Sequence, residues 1–278
     1  MANIDDLLLA AILGVLQAAT EFLPVSSSGH LVLADELVGN AQNDLTFDVA
    51  LHLGTMIAVV AYFWRDWIMI IGSVLSDLME YGWRITAWSR HSLLGVWVII
   101  GTIPVVVVGL LFSSFIEREL REPWIVGIML IGFGIVIGAL DRWGSTFLKL
   151  FEITLGRALA VGLVQVVALI PGVSRSGITI AAARGLGLDR PSAARFSFLL
   201  STPAVLGASV LQFNKALTSE ETMLWAPMAI GVIVAAVLGA LVIRWLLAFL
   251  VRGTLMPFVW YRIGLGTLVL ALSATDVI

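Results

Sequence analysis

Six stretches of apolar residues, each about as long as a lipid bilayer is thick, set the terms for anything this chain can fold into. They run over 45–64, 93–112, 124–140, 196–213, 225–250 and 257–274, and a helix of about 20 such residues spans the hydrocarbon core. Gly101, Pro104 and Pro203 fall inside them, which membrane helices tolerate when neighbours satisfy the freed backbone groups. Composition agrees: 60% of the side chains are hydrophobic, 13% are charged, and mean hydropathy is +1.03, whereas a soluble domain carries roughly 25% charge. So few charges cannot cover a globular surface, which argues against a soluble enzyme or a disordered scaffold. A net charge of −3 with scattered basic residues offers no basic stripe to follow a phosphate backbone, so no nucleic-acid partner is expected. Without cysteine, disulfide and thiolate chemistry are excluded. The opening Met1-Ala2-Asn3-Ile4-Asp5-Asp6 is acidic where a signal peptide is basic, so the first apolar stretch is expected to be retained.

Two further apolar stretches, 7–23 and 153–170, run into a Pro/Gly/Ser loop and then a second short apolar segment. Each reads as a helix, a break and a second helix, too short on either side to cross fully, giving re-entrant pairs over 7–38 and 153–190. Broken helices occur at membrane depth only where protein or a water-filled cavity covers the bare backbone, so both breaks are candidate sites. Of the 16 basic residues, Arg118, Arg121 and Lys215 fall on one side, Arg175 lies inside a break, and the remaining 12 fall on the other side. The rich side is expected to be cytoplasmic, with both termini outside. Tryptophans such as Trp64, Trp124 and Trp225 sit near the proposed boundaries, as interfacial anchors do. The polar segment 79–92 reads either as a cytoplasmic loop or as an interfacial helix.

The chain also repeats itself. Gly14-Val15-Leu16-Gln17 returns as Gly162-Leu163-Val164-Gln165, and at the same offset Val25-Ser26-Ser27-Ser28-Gly29 returns as Val173-Ser174-Arg175-Ser176-Gly177. A broken pair plus three full spans is an odd number of crossings, so the second copy (about 153–278) is inverted relative to the first (about 1–140). The predicted architecture is a single all-α integral membrane domain over 1–278, an inverted-topology repeat of six transmembrane helices plus two re-entrant broken-helix pairs. Discontinuous helices meeting near the midplane are a known way to build a membrane site.

The two tips carry different chemistry. The first offers Glu21, Pro24, Ser26, Ser27, Ser28, Gly29 and His30; the second offers Pro171, Gly172, Ser174, Arg175, Ser176, Gly177 and Thr179. Amides at a helix start bind anions, and a guanidinium fork fits phosphate oxygens, so the combination asks for a phosphate. Plainer readings stand beside these: Glu21 and Arg175 as a neutralising buried pair, Ser26 and Ser174 as helix caps, His30 as a buried structural histidine. Gln17, four residues before Glu21 and on the same helix face, orients the carboxylate, ligates a metal through its carbonyl, or packs between helices. His52 reads as structural and His91 as an exposed loop residue. Asp48 is a helix-end charge or a group at the outer mouth.

Gln17-Ala18-Ala19-Thr20-Glu21, followed by Phe22-Leu23-Pro24-Val25-Ser26-Ser27-Ser28-Gly29-His30, resembles the first motif of the bacterial undecaprenyl-diphosphate phosphatases, also called the bacitracin-resistance phosphatases. Pro171-Gly172-Val173-Ser174-Arg175-Ser176-Gly177-Ile178-Thr179 is similar to their second motif, and the resemblance extends over essentially the whole chain, including the closing Pro257-Phe258-Val259-Trp260-Tyr261-Arg262. Many members have Glu where this chain has Gln17, and a glutamine cannot act as a general base. The resemblance implies removal of the terminal phosphate from undecaprenyl diphosphate, with the monophosphate reused as a carrier lipid for cell-wall precursors. It further implies an inner-membrane protein, a site open toward the outer face, a divalent cation requirement, and roles for Glu21, Ser27, His30 and Arg175.

Within that frame, Ser27 is the expected nucleophile and Glu21 its base, with Arg175 and the amides around Ser28, Gly29, Ser176 and Gly177 on the phosphate oxygens. Gln17, Ser26, Ser174 and Thr179 complete the expected substrate-binding set. A Mg2+ or Ca2+ ion between the diphosphate and Glu21 matches the preference of both ions for hard oxygens. The rival assignment has His30 attacking phosphorus directly. The expected partners are a polyprenyl diphosphate lipid, the bilayer, and a second copy of the chain in a homodimer. An inverted-repeat transporter or flippase for an anionic lipid or solute is the alternative of a different class.

Overall fold

Pro24 and Pro171 interrupt what would otherwise be continuous apolar helices, and the fold is organised around those two interruptions. The structure, a computed structural model, describes residues 4–38, 45–144, 148–218 and 225–275. The side chains of Asp48 and Lys215, together with both chain ends, lie outside the described residues. The described elements are α1 (Ile4–Phe22), α2 (Ser27–Val38), α3 (Leu45–Tyr62), α4 (Trp64–Tyr81), α5 (Arg90–Glu119), α6 (Pro123–Trp143), α7 (Leu155–Val167), α8 (Arg175–Gly185), α9 (Arg190–Thr218), α10 (Trp225–Leu250) and α11 (Met256–Ser273). Among the described residues there is no β-strand, only one isolated bridge between Leu148 and Leu188.

Each expected span has a helix. Four helices, α5, α6, α10 and α11, are long and apolar enough to cross a membrane, and the bent pair α3–α4 makes a fifth if it counts as one broken span. The stretch 196–213 falls in α9. Its described part carries Ser197, Ser201 and Thr202 as buried residues, which lowers its hydropathy because this helix faces the protein interior rather than lipid. α1 is longer than the expected half-span: its 19 residues extend about 28 Å.

The segment after Trp64 departs most from expectation. α4 continues to Tyr81 at 68° to α3, and α5 starts at Arg90, so only the middle of the polar segment 79–92, residues 82–89, forms a connection, with a single 3-10 turn at Ile85–Ala87. Arg65, Asp66 and Asp77 dilute the apolarity of α4 and hide it from a span search. Asp77 accepts hydrogen bonds from the Ser89 amide (2.7 Å) and the Ser92 hydroxyl (2.6 Å), which ties α4 to the start of α5. His91 lies in the first turn of α5, half-buried against the Phe151 ring at 4.4 Å, and is not a loop residue.

Helix crossings depend on missing side chains. α1 packs on α10 and α7 on α5. A Cβ added at Gly162 would lie 2.0 Å from the Gly101 carbonyl oxygen, and one at Gly14 would lie 2.9 Å from that of Gly231. Asp141 at the end of α6 gathers Arg184 Nε (3.2 Å), Arg190 Nε (2.7 Å) and the Leu255 amide (3.0 Å). One carboxylate thereby fixes the ends of α6 and α8, the start of α9 and the turn before α11. Arg184 and Arg262, both among the basic residues assigned to the cytoplasmic side, are fully buried and do not flank spans; the remaining ten keep the asymmetry.

Candidate active site

Gln17 and Glu21 sit on one face of the last turns of α1, and the Gln17 amide donates to Glu21 Oε2 at 3.2 Å. The chain then turns and reaches Ser26 at φ 77°. The Ser26 hydroxyl accepts from the Gly29 amide at 3.3 Å, capping α2. With α2 starting at Ser27, the Ser27 hydroxyl points back and donates to Glu21 Oε2 at 2.5 Å. The second tip has the same backbone: Ser174 is at φ 71°, its hydroxyl accepts from the Gly177 amide at 3.1 Å, and α8 starts at Arg175. Arg175 Nη2 pairs with Glu21 Oε1. A residue with a side chain in the left-handed region costs of order 1–3 kcal/mol, so both tips hold a strained serine in the same place.

The tips touch. Ser176 donates to the Leu23 carbonyl at 3.1 Å. A Cβ on Gly29 would lie 3.5 Å from Gly172 Cα, and one on Gly177 would lie 3.2 Å from Pro24 Cβ. Glu21 is buried and Ser27 and Arg175 are half-buried, so carboxylate, hydroxyl and guanidinium form a compact cluster with limited access to water.

Other site residues fall into two groups. His30 stands beside the first tip: its Nδ1 donates to the Ser26 carbonyl (2.7 Å), and Nε2 meets the Tyr261 hydroxyl (2.7 Å). A carbonyl only accepts, so in the neutral ring Nε2 carries the lone pair and accepts from tyrosine. Ser28 lies 3.4 Å from the Ser26 hydroxyl. Thr179 is not brought to the cluster; it is fully buried behind α8, its hydroxyl on the Arg175 carbonyl (2.7 Å) and on Ser197 (2.6 Å). The expectation that the Gly29 and Gly177 amides face a ligand is corrected, because each donates to its capping serine.

Three residues join the site that the sequence reading placed elsewhere. His52 Nε2 lies 3.7 Å from Glu21 Oε2. Tyr261 holds His30, and Arg262 binds carbonyls of both tips. On the side of α3 and α9, a small, partly open pocket is lined by Glu21, Phe22, Thr55, Met56, Val59, Arg175, Ser201, Thr202 and Val205. Its polar end is the Glu21–Arg175 pair; Phe22, Met56, Val59 and Val205 form apolar walls beside the hydroxyl residues Thr55, Ser201 and Thr202.

Against known families, residues 10–268 match the family described as bacitracin resistance protein BacA. The chain belongs to that family. Its relatives include the undecaprenyl-diphosphatase of Geotalea daltonii, 45% identical over 267 residues that cover 95% of this chain and 97% of the relative. That of Desulforudis audaxviator is 43% identical over 262 residues (94% and 96%), and that of Trichlorobacter lovleyi 44% over 269 residues (96% and 97%). The bacitracin-resistance resemblance read from the two tip motifs is therefore correct for the whole chain. For this BacA family member, His52 had one available cue, since His52 and Thr55 are three apart in an apolar span and share a helix face. Tyr261 and Arg262 enter the sequence reading only as part of the closing stretch of the resemblance, and Arg262 counts among the cytoplasmic-side basic residues, so neither is given a place in the site.

Proposed function

We propose that this protein hydrolyses undecaprenyl diphosphate to undecaprenyl phosphate and inorganic phosphate, the activity for which its relatives are named. One observation carries the catalytic assignment: the Ser27 hydroxyl donates to Glu21 Oε2 at 2.5 Å while Glu21 Oε1 holds Arg175. Ser27 Oγ attacks the terminal phosphorus as its proton passes to Glu21, and the bond to the bridging oxygen breaks, releasing undecaprenyl phosphate. Glu21 passes that proton to the departing undecaprenyl phosphate; water then attacks the phosphoserine, giving a proton to Glu21, which hands it to Ser27 Oγ as the phosphorus–Oγ bond breaks and frees phosphate. Arg175 Nη1 is buried and has no hydrogen-bond partner among the described residues, so it can take a phosphate oxygen while Nη2 keeps Glu21. His30 is disfavoured as the nucleophile because both ring nitrogens are engaged, and it braces the Ser26 turn. The first amides of α2, those of Ser27 and Ser28, have no acceptor within their own helix and would add to anion binding.

A divalent cation suits the donors present. The Gln17 carbonyl oxygen is buried without a partner among the described residues, beside the Glu21 carboxylate, and no group of three or more His, Cys, Asp or Glu forms a complete protein cage there. Gln17 and Glu21 would hold a Mg2+ or Ca2+, both of which take hard oxygen donors, and the ion would neutralise phosphate charge. The undecaprenyl tail is far larger than the pocket beside Glu21 and Arg175 and would lie along the spans in the bilayer.

The inverted repeat is part of this proposal. Its support is reciprocal: α1 of the first copy packs on α10 of the second, and α7 of the second packs on α5 of the first. The basic-residue asymmetry supports a bacterial inner-membrane location with both termini outside and the site open to the periplasm. The test is phosphate release from a farnesyl or undecaprenyl diphosphate by purified protein in detergent, with and without EDTA, beside Ser27→Ala. Metal-dependent release that Ser27→Ala abolishes supports the phosphatase; no release from folded, metal-replete protein overturns it and points to lipid translocation.

A further inference from the structure

Arg262 is a fully buried guanidinium in α11. An arginine stays charged in any protein environment, and a charge within a membrane helix is costly enough that function is the default reading. Its hydrogen bonds go to carbonyls. Nη1 donates to Pro24 (3.4 Å) of the first tip; Nη2 donates to Gly172 (2.8 Å) of the second tip and to Met129 (3.3 Å) of α6.

Pro24 and Gly172 are equivalent positions in the two copies, each two residues before a capping serine with positive φ. One fork therefore grips the same carbonyl of both tips, one nitrogen to each. α6 makes room for it at Gly134, where an added Cβ would lie 3.4 Å from Arg262 Cβ and 3.6 Å from Nε. The two gripped carbonyls belong to the turns that aim Ser27 and Arg175 at Glu21 from opposite sides.

We infer that Arg262 is a positioning residue for the hydrolysis: by bridging Pro24 and Gly172 it fixes the spacing of the two tips, and so the distance from Ser27 and Glu21 to Arg175. This rests on the proposed roles of those three residues. A misplacement of about 1 Å at a reacting centre costs on the order of 100-fold in rate, so loss of the grip should act on kcat and leave KM nearly unchanged. Charge alone should not rescue it, because a lysine ammonium lacks a planar fork with one arm for each tip.

The experiment measures kcat, KM and thermal unfolding in detergent for Arg262→Met and Arg262→Lys, each alone and combined with Arg175→Ala, with Ser27→Ala alongside. The expected result is a fall in kcat per folded molecule of about 10- to 100-fold in both single variants, with KM little changed and almost no further loss on the Arg175→Ala background. That non-additivity separates positioning from a general loss of stability, which would lower the folded fraction and not kcat per folded molecule. Wild-type kcat in folded Arg262→Lys, or full additivity with Arg175→Ala, overturns the inference. If Arg262→Met does not fold, Arg262→Lys decides alone. Activity in Ser27→Ala would instead overturn the site assignment beneath it.

Discussion

Shortening Glu21 separates its two functions, base and counter-charge. In Glu21→Asp the carboxylate withdraws by about one C–C bond, so the 2.5 Å contact with Ser27 opens to roughly 4.0 Å, beyond hydrogen-bond range. The negative charge near Arg175 survives. In Glu21→Gln the side chain keeps its length, but an amide cannot take a proton from Ser27. Loss of a general base costs about 100- to 10,000-fold, and the lower figure corresponds to about 2.7 kcal/mol on the barrier. Both variants should therefore lose at least about 100-fold in kcat, read as phosphate release per folded molecule after size-exclusion chromatography. Near-wild-type turnover by folded Glu21→Asp would falsify the base assignment and leave Glu21 as a partner for Arg175 alone.

Ser27→Ala and Arg175→Ala should each reduce hydrolysis by about 100-fold or more, and rapid acid quench should trap phosphoserine in wild type and none in Ser27→Ala. EDTA should abolish phosphate release and Mg2+ or Ca2+ should restore it; Gln17→Ala should raise the cation concentration needed for half-maximal rate while lowering kcat less than Glu21→Gln does. Gly162→Ala drives a methyl group to 2.0 Å from a carbonyl oxygen, so it should destabilise the fold by at least about 1–3 kcal/mol, seen as a lower unfolding temperature in detergent. In the loop before α9, burial pushes the Asp189 carboxyl up, but hydrogen bonds from Lys149 and Ser192 and the Lys149 charge outweigh it and hold the group below its usual value. Its stabilisation is present above about pH 4, the unfolded value, and is lost as pH falls through the lower folded one; Asp189→Asn should lower the unfolding temperature at pH 7, by an amount that shrinks as pH falls through that folded value.

The apolar stretches and the two Pro/Gly/Ser breaks were readable because both leave local marks: runs of hydrophobic residues, and residues that cannot continue a helix. The tip chemistry was readable for the same reason, since Gln17, Glu21, Ser27 and Arg175 lie inside those marks. α4 escaped because its charges mask an amphipathic helix, and α9 starts ahead of its apolar stretch because Arg190 and Arg195 pair across the fold with Asp141 and Asp66. His52, Tyr261 and Arg262 escaped for a different reason. Their roles exist only through contacts across the fold, such as the 231 residues separating His30 from Tyr261, and no local pattern encodes such a contact. The positive φ of Ser26 and Ser174 was also invisible, because serine at those positions reads equally well as an ordinary cap.

The two tips share a backbone and differ in cargo. Where the first copy has Ser27, the second has Arg175; opposite Glu21 stands Leu169, and opposite His30 stands Ile178. Under the proposed roles, a protein assembled from two first halves would hold two nucleophiles and two bases with nothing to receive the phosphate oxygens, and one assembled from two second halves would hold two anion receptors and no nucleophile. The two tips would then be complementary, each supplying what the other lacks one residue after its capping serine.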